Sequence, residues 1–194
     1  SSTGDLLVED DKGVAAILKN TRRRAAFHSE DEYRLKERLH LRFAGDPASH
    51  PIWRDEVAAL TCTQRLVAIA RKVRARIHVL HISTAEEIDF LAHHKDITTC
   101  EATPHHLTLS SDDYATLGTL IQMNPPVRDA RHRDGVWKGV GQGIVDVLGS
   151  DHAPHLLEEK AKAYPASPSG MTGVQTLVPI MLDHVNKGKL SLER

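Results

Sequence analysis

The sequence predicts an α/β fold built on parallel strands, and three observations carry that prediction. Short β-rich runs alternate with longer helical patterns along all 194 residues, an order that calls for crossover helices between parallel strands. The notable polar residues fall at the C-terminal ends of the β-rich runs, where parallel sheets and barrels carry their sites. No heptad, short repeat or low-complexity tract breaks the order, and the unit spacings are too unequal for a solenoid.

Residues 10–20 read as a helix, with Val14, Ile17 and Leu18 on one face. Residues 24–28 read as a short strand ending in His28. A charged helix over 31–43 is closed by Gly45-Asp46-Pro47. Residues 54–73 form the strongest helical pattern, with Val57, Leu60, Leu66, Val67, Ile69 and Ala70 as its apolar positions. Residues 76–82 are a second strand. Ser83 or Thr84 caps a helix over 85–94, whose first turn carries Glu86 and Glu87. Residues 97–103 are a third strand stopped by Pro104, 129–140 a helix, and 144–150 a buried-type fourth strand. A Pro/Ser/Gly-rich loop over 152–172 precedes a last amphipathic helix over 173–186.

Composition narrows the function. With 25 basic and 26 acidic side chains the formal net charge is −1, which predicts neither a nucleic-acid nor a membrane-surface partner. No apolar run reaches 18 residues, and the opening Ser1-Ser2-Thr3-Gly4-Asp5 has no signal-peptide character. Two cysteines, Cys62 and Cys100, make neither a disulfide framework nor a cysteine zinc site, so a reducing, cytoplasmic setting is predicted. The 13 histidines are the outlier, and such a stock is compatible with metal chemistry.

The strand ends concentrate the chemistry. His28 ends the first strand, His81 the second, Glu101 with His105-His106 the third, and Asp151 the fourth. Histidine nitrogen and aspartate oxygen suit Zn²⁺ and similar ions. Their recurrence at successive strand ends predicts a metal site. The remaining clusters read as structural. Arg22-Arg23-Arg24 is a solvated helix end, and His93-His94 complements a helix dipole. His40, His50, His132 and His184 are surface or packing residues, Cys62 packs on its helix, and Cys100 is a buried neighbour of the site.

Five co-linear motifs carry a resemblance. Ala26-Phe27-His28-Ser29-Glu30-Asp31, Leu80-His81-Ile82-Ser83-Thr84, Cys100-Glu101-Ala102-Thr103-Pro104-His105-His106-Leu107, Asn124-Pro125-Pro126-Val127-Arg128 and Ser150-Asp151-His152-Ala153-Pro154-His155 resemble dihydroorotase, a family of the amidohydrolases. The resemblance implies a metal-dependent (β/α)₈ barrel of the TIM type. It aligns His28 and His81 with metal ligands after barrel strands five and six, and Asp151 with the aspartate after strand eight that holds metal and moves the proton. Asn124, His155 and the Ser169-Gly170 segment correspond to substrate contacts, and Glu101 and His105 to supporting positions around the site.

The departures are equally specific. The family's His-x-His pair after strand one, its arginine for the substrate carboxylate and its bridging lysine after strand four have no counterpart here. The stretch 1–4 resembles the segment just past that lysine. Residues 1–194 therefore read as the C-terminal portion of one barrel domain, strands five to eight, with the pair and the lysine expected upstream of Ser1. The implied activity is the zinc-dependent interconversion of L-dihydroorotate and N-carbamoyl-L-aspartate, with two ions per site. The small-molecule substrate is the expected partner, and a homodimer is compatible. Alternatives are a dihydropyrimidinase or allantoinase, and a non-catalytic dihydroorotase-like scaffold subunit.

Overall fold

The computed structural model describes Val8 and residues 10–194; the readings made on residues 1–5 lie outside the described residues. In chain order the α-helices and strands are α1 (Asp11–Asn20), β1 (Ala25–Phe27), α2 (Glu32–Arg38), α3 (His50–Trp53), α4 (Glu56–Val73), β2 (Ile77–Val79), α5 (Ala85–Ala92), β3 (Thr98–Ala102), α6 (Pro104–Thr108), α7 (Tyr114–Leu117), α8 (Ala130–Gly141), β4 (Val147–Leu148), α9 (Leu157–Lys160) and α10 (Leu177–Asn186). Helix starts follow side-chain chemistry. Asp10, Asp55, Thr84 and Asp129 each accept a backbone N–H of the first turn, filling a donor that the helix leaves unpaired.

The four strands form one parallel sheet in the order β1-β2-β3-β4. Ala25 pairs with Ile77, Ile77 with Thr98, and Glu101 with Val147. Alternation splits the strand residues between two faces. Ile77, Val79, Thr98, Cys100 and Ala102 are buried and pack, Thr98 excepted, in the main core with Leu66 and Val67 of α4, Ile88 and Leu91 of α5, and Val136 and Val140 of α8. His78, Thr99 and Glu101 take the opposite parity and are half-buried. On that face Glu101 lies 3.3 Å from His78 Nε2, and Thr99 Oγ1 lies 2.8 Å from His78 Nδ1. One face of the sheet is thus apolar under helices, and the other carries polar groups.

Five expectations need correcting. The second strand spans Ile77–Val79 rather than 76–82. The fourth strand is two residues long rather than seven, and it is not a buried-type strand: Val147 is 48% exposed. Its side chain falls on the uncovered face, while Val145 packs into the core. The 152–172 loop contains the short helix α9. The last helix begins at Leu177, and the chain before it docks after β4 through the Gly173 and Val174 N–H groups, which donate to His152 Nδ1. Cys100 faces the helices instead of the strand-end site, with Sγ donating to the Ile144 carbonyl. Among the described residues no helix is long and apolar enough to cross a membrane.

Helix α8 approaches α5 so closely that Gly135 has no room for a side chain. A Cβ there would stand 2.4 Å from Ala85 Cβ and 2.8 Å from Ala85 Cα. Gly141, at the end of the same helix, has nothing within 4 Å of its Cβ position. Gly141→Ala should therefore stabilise the intact protein by up to ~1 kcal/mol through helix propensity. Gly135→Ala gains the same propensity but meets backbone, and overpacking of about 1–3 kcal/mol should dominate. Thermal unfolding of the two variants should show Tm moving in opposite directions; equal shifts would refute this packing account.

Candidate active site

Three of the four strands deliver a polar site residue just beyond their ends, while β3 carries Glu101 within the ladder. His28 follows β1, and His81 lies two residues beyond β2. Asp151 lies three residues beyond β4. His81 and Asp151 have positive φ, 36° and 42°, in the region that costs a non-glycine residue roughly 1–2 kcal/mol. The other described non-glycine residue with positive φ, Arg74, is the ordinary left-handed cap of α4. Strain therefore coincides with two of the three residues read as metal ligands.

The in-register pairing of β1 with β2 brings His28 and His81 together. His28 Nδ1 lies 3.1 Å from His81 Nε2, with ring centroids 4.8 Å apart at 72°. The far nitrogen of His28, Nε2, lies 2.9 Å from Glu30 Oε2. Burial would raise the Glu30 carboxyl, but the Arg54 guanidinium and the His28 hydrogen bond hold it well below the usual carboxylate range. Glu30 is thus an acceptor only, so His28 points an Nε2–H at it and turns its Nδ1 edge towards His81. Burial, with the neighbouring His28 and His106, pushes His81 down to about 3. His81 is therefore a neutral imidazole, and its buried Nδ1 has no hydrogen-bond partner.

This pair fits a divalent cation. Two nitrogens bound to one tetrahedral zinc at about 2.0–2.1 Å stand roughly 3.3 Å apart, close to the spacing between His28 and His81. A polar cage backs the pair. Arg54 is ion-paired to Glu30, and its carbonyl accepts Arg128 Nη1 at 2.8 Å. Arg128 Nε donates to Ser83 Oγ at 3.0 Å. Glu87 accepts from Thr63 and Thr84, and Thr63 also meets Ser29 at 2.7 Å. The residues flanking both histidines are thus fixed from behind.

Asp151 is less tightly gathered. Its half-buried carboxyl is raised by burial, with His28 and His105 pulling the other way and Glu101 adding to the rise. Among the described residues no three His, Cys, Asp or Glu side chains close around one point, so the structure brings together the two histidines and leaves Asp151 beside them. Glu101 pairs with His78 on the polar face of the sheet. His105 donates Nε2–H to the Thr172 carbonyl at 2.9 Å and keeps a buried Nδ1 unpartnered.

A second group forms on the loops. His155 Nε2 lies 3.2 Å from the Ser169 carbonyl. Gly170, at φ 144°, admits no Cβ, which would lie 2.6 Å from the Ala153 carbonyl oxygen and 3.0 Å from His155 Nε2. Gln122 donates to Ser169 Oγ at 3.1 Å and accepts the Gly170 N–H at 2.9 Å. The Lys160 ammonium donates to the carbonyls of Gln122, Pro168 and Gly170, each at 3.0 Å. His155, Ser169 and Gly170 are therefore in contact, and Asn124 lies two residues beyond the Gln122 that holds them. Sequence reasoning missed Glu30, Arg54, Gln122 and Lys160 as supports. For Glu30 the signal was present, a carboxylate two residues past a strand-end histidine. For a lone lysine on a loop there was none.

Comparison with known proteins adds an independent line. No family model matches the chain. It is 38% identical over 200 residues to a dihydroorotase of Halobacterium salinarum, with 100% of this chain and 45% of that protein covered. A dihydroorotase of Methanosarcina mazei is 34% identical, again over 100% of this chain and 45% of its own length. The chain spans less than half the length of these relatives and matches their C-terminal part. Among solved structures, the L-hydantoinase (dihydropyrimidinase) from Arthrobacter aurescens superposes with a TM-score of 0.90 at 27% identity, over 100% of this chain and 46% of that one. A Saccharomyces cerevisiae dihydroorotase in complex with 5-fluoroorotic acid shares the fold at a TM-score of 0.62 and 19% identity, covering 68% of this chain and 38% of its own. The four-stranded sheet is accordingly one arc of a TIM-type barrel.

Two further histidines are buried and neutral. Burial pushes His50 and His106 each down to about 4, below the ordinary value near 6.5. The unfolded chain then takes up protons that the folded chain refuses. Stability is fully present above pH ~6.5 and is lost as the pH falls towards ~4. These two groups add about 2.7 kcal/mol per pH unit to the slope in that window, beside the share from His81. Acid titration of the intact protein followed by circular dichroism should show the slope fall by about 1.4 kcal/mol per pH unit in His106→Gln; an unchanged slope would refute the assignment.

Proposed function

Taking as premise that the chain belongs to the dihydroorotase family, we propose that its parent protein is a metal-dependent dihydroorotase. In this reading the protein opens L-dihydroorotate to N-carbamoyl-L-aspartate and closes it again, and residues 1–194 supply strands five to eight of one barrel domain. The observation that carries the reading is the pair of imidazole nitrogens held 3.1 Å apart at adjacent strand ends. The sequence likeness to dihydroorotases across the whole chain supports it.

His28 Nδ1, His81 Nε2 and Asp151 would hold the metal, zinc in this proposal. When bound it acts as a Lewis acid on the ring carbonyl and makes water a competent nucleophile near neutral pH. The second ion, the His-x-His pair and the bridging lysine belong to the remainder of the parent protein. The residues of this chain do the orienting and the proton transfer. Glu30 keeps the His28 lone pair aimed by fixing its other nitrogen. The Asp151 carboxyl, raised by burial, takes a proton from the attacking water and delivers it to the leaving ring nitrogen. Asn124 and His155 orient the substrate through its oxygens, and the Ser169-Gly170 backbone lines the same side. The substrate is a small anion, consistent with a cytoplasmic setting.

The runner-up is a dihydropyrimidinase-type hydrolase, favoured by the close superposition on the L-hydantoinase. The two substrates differ by a carboxylate, and that difference is the test. His155→Ala in the full-length protein removes a donor to a charged group, worth about 1.5–3 kcal/mol, so kcat/KM for dihydroorotate should fall roughly 10–150-fold. Trace activity on dihydrouracil should barely change. Equal losses on both would mark His155 as structural, and a wild-type preference for dihydrouracil would overturn the assignment.

The metal and proton roles are tested together. Chelation should abolish turnover and Zn²⁺ should restore it. Asp151→Asn should lower kcat by about 10²–10⁴-fold, the usual scale of a general acid-base group, while metal analysis shows much of the ion retained. Full activity in a metal-free preparation or in Asp151→Asn would refute the mechanism, and a metal-loaded but inactive wild type would favour a scaffold role.

A further inference from the structure

His50 opens α3 and is almost wholly buried, far along the chain from any strand end. Its Nε2 lies 3.0 Å from the Met123 carbonyl oxygen and 3.0 Å from Asn124 Oδ1. Its Nδ1 lies 3.2 Å from the Tyr164 hydroxyl, to which Trp53 Nε1 donates at 2.6 Å. Both aromatic rings pack edge-on against the imidazole. Two segments distant in sequence from α3 and from each other therefore meet on one histidine.

The direction of every bond follows from one fact, that a backbone carbonyl only accepts. The Met123 carbonyl fixes the His50 proton on Nε2. The ring is neutral, since burial and the nearby Arg54 hold its pKa at about 4, so Nδ1 is bare and the Tyr164 hydroxyl donates to it. The Trp53 indole, a donor only, fills a lone pair of that hydroxyl. At the other end, the Asn124 atom facing Nε2–H must be the carbonyl oxygen. The Asn124 amide nitrogen is thereby turned away from His50, with both hydrogens free of any partner among the described residues.

We propose that His50 is a positioning residue which, through this one-way chain from Trp53 and Tyr164, locks Asn124 as a hydrogen-bond donor and so restricts that subsite to an acceptor oxygen of the ligand, a carboxylate or a carbonyl. A free asparagine amide can turn over and accept from an N–H group instead; this one cannot without facing its own N–H₂ against His50 Nε2–H. The inference rests on the substrate contact of Asn124 proposed above. It goes beyond that contact by assigning what fixes the contact's polarity.

The test is a double-mutant cycle in the full-length, metal-loaded protein. His50→Phe keeps the ring volume and removes the lock. KM for dihydroorotate should rise roughly 10-fold, the scale of one bond to a charged acceptor, with kcat within about 3-fold and metal content unchanged. His50→Gln can still donate to Asn124 and should recover most of the loss. The double variant His50→Phe/Asn124→Ala should be no worse than Asn124→Ala alone, because the two residues act as a unit. If Asn124→Ala raises KM while His50→Phe does not, or if the two losses simply add, the relay is wrong. If Asn124→Ala leaves KM unchanged, the substrate contact itself fails and takes the relay with it. A joint fall in kcat, metal content and Tm that His50→Gln does not rescue would show a structural role only. Should His50→Phe not fold, Tyr164→Phe probes the same chain from its other end: a two- to threefold rise in KM supports the relay, and no change overturns it.

Discussion

The geometry of the site hangs on a single buried ion pair, Glu30 with Arg54. Both side chains are almost fully withdrawn from water, so neither charge could remain there without the other. Removing one partner of such a pair typically costs about 3–5 kcal/mol, because it strands the other. The fold accepts that risk at a useful place. The carboxylate that neutralises Arg54 also receives the His28 ring proton, and the backbone of Arg54 is in turn gripped by Arg128. A force that could have served only the interior is directed at the tautomer of one imidazole.

The sheet supplies the second constraint. Its parallel register sets successive strand exits side by side, and its alternation sends aliphatic side chains to the helices and His78, Thr99 and Glu101 to the other face. The helices therefore stabilise the ladder without touching the polar groups. The loops beyond the strands are held differently. Lys160 ties three carbonyls, Gln122 clasps 169–170, and Gly170 allows two backbones to touch. Apolar burial organises the strand side of the site, and hydrogen bonds to main chain organise its loop side.

That division explains what could be read in advance. Strand-end residues follow from periodicity, so His28 and His81 are legible as strand ends, and so are the helix starts at Asp10, Thr84 and Asp129. Cys100 is near the site along the chain, but strand parity sends alternate residues to opposite faces and puts it under the helices. The fourth strand was overextended because a run of β-branched residues cannot show where pairing stops. The sequence alone reads His50 as a surface or packing residue. Its partners Asn124 and Tyr164 are 74 and 114 positions away, and no local pattern encodes such a meeting. Lys160 was illegible for the same reason: its partners are carbonyls, which every residue possesses.

The backbone at His81 and Asp151 carries a consequence for laboratory evolution. Both hold left-handed φ values that glycine would adopt without penalty. A library screened for heat tolerance alone should therefore be drawn towards glycine at these two positions, since relief of strain is among the easiest gains in stability. Robustness and chemistry pull against each other there, and a screen that ignores turnover would select hardier proteins with the working groups removed.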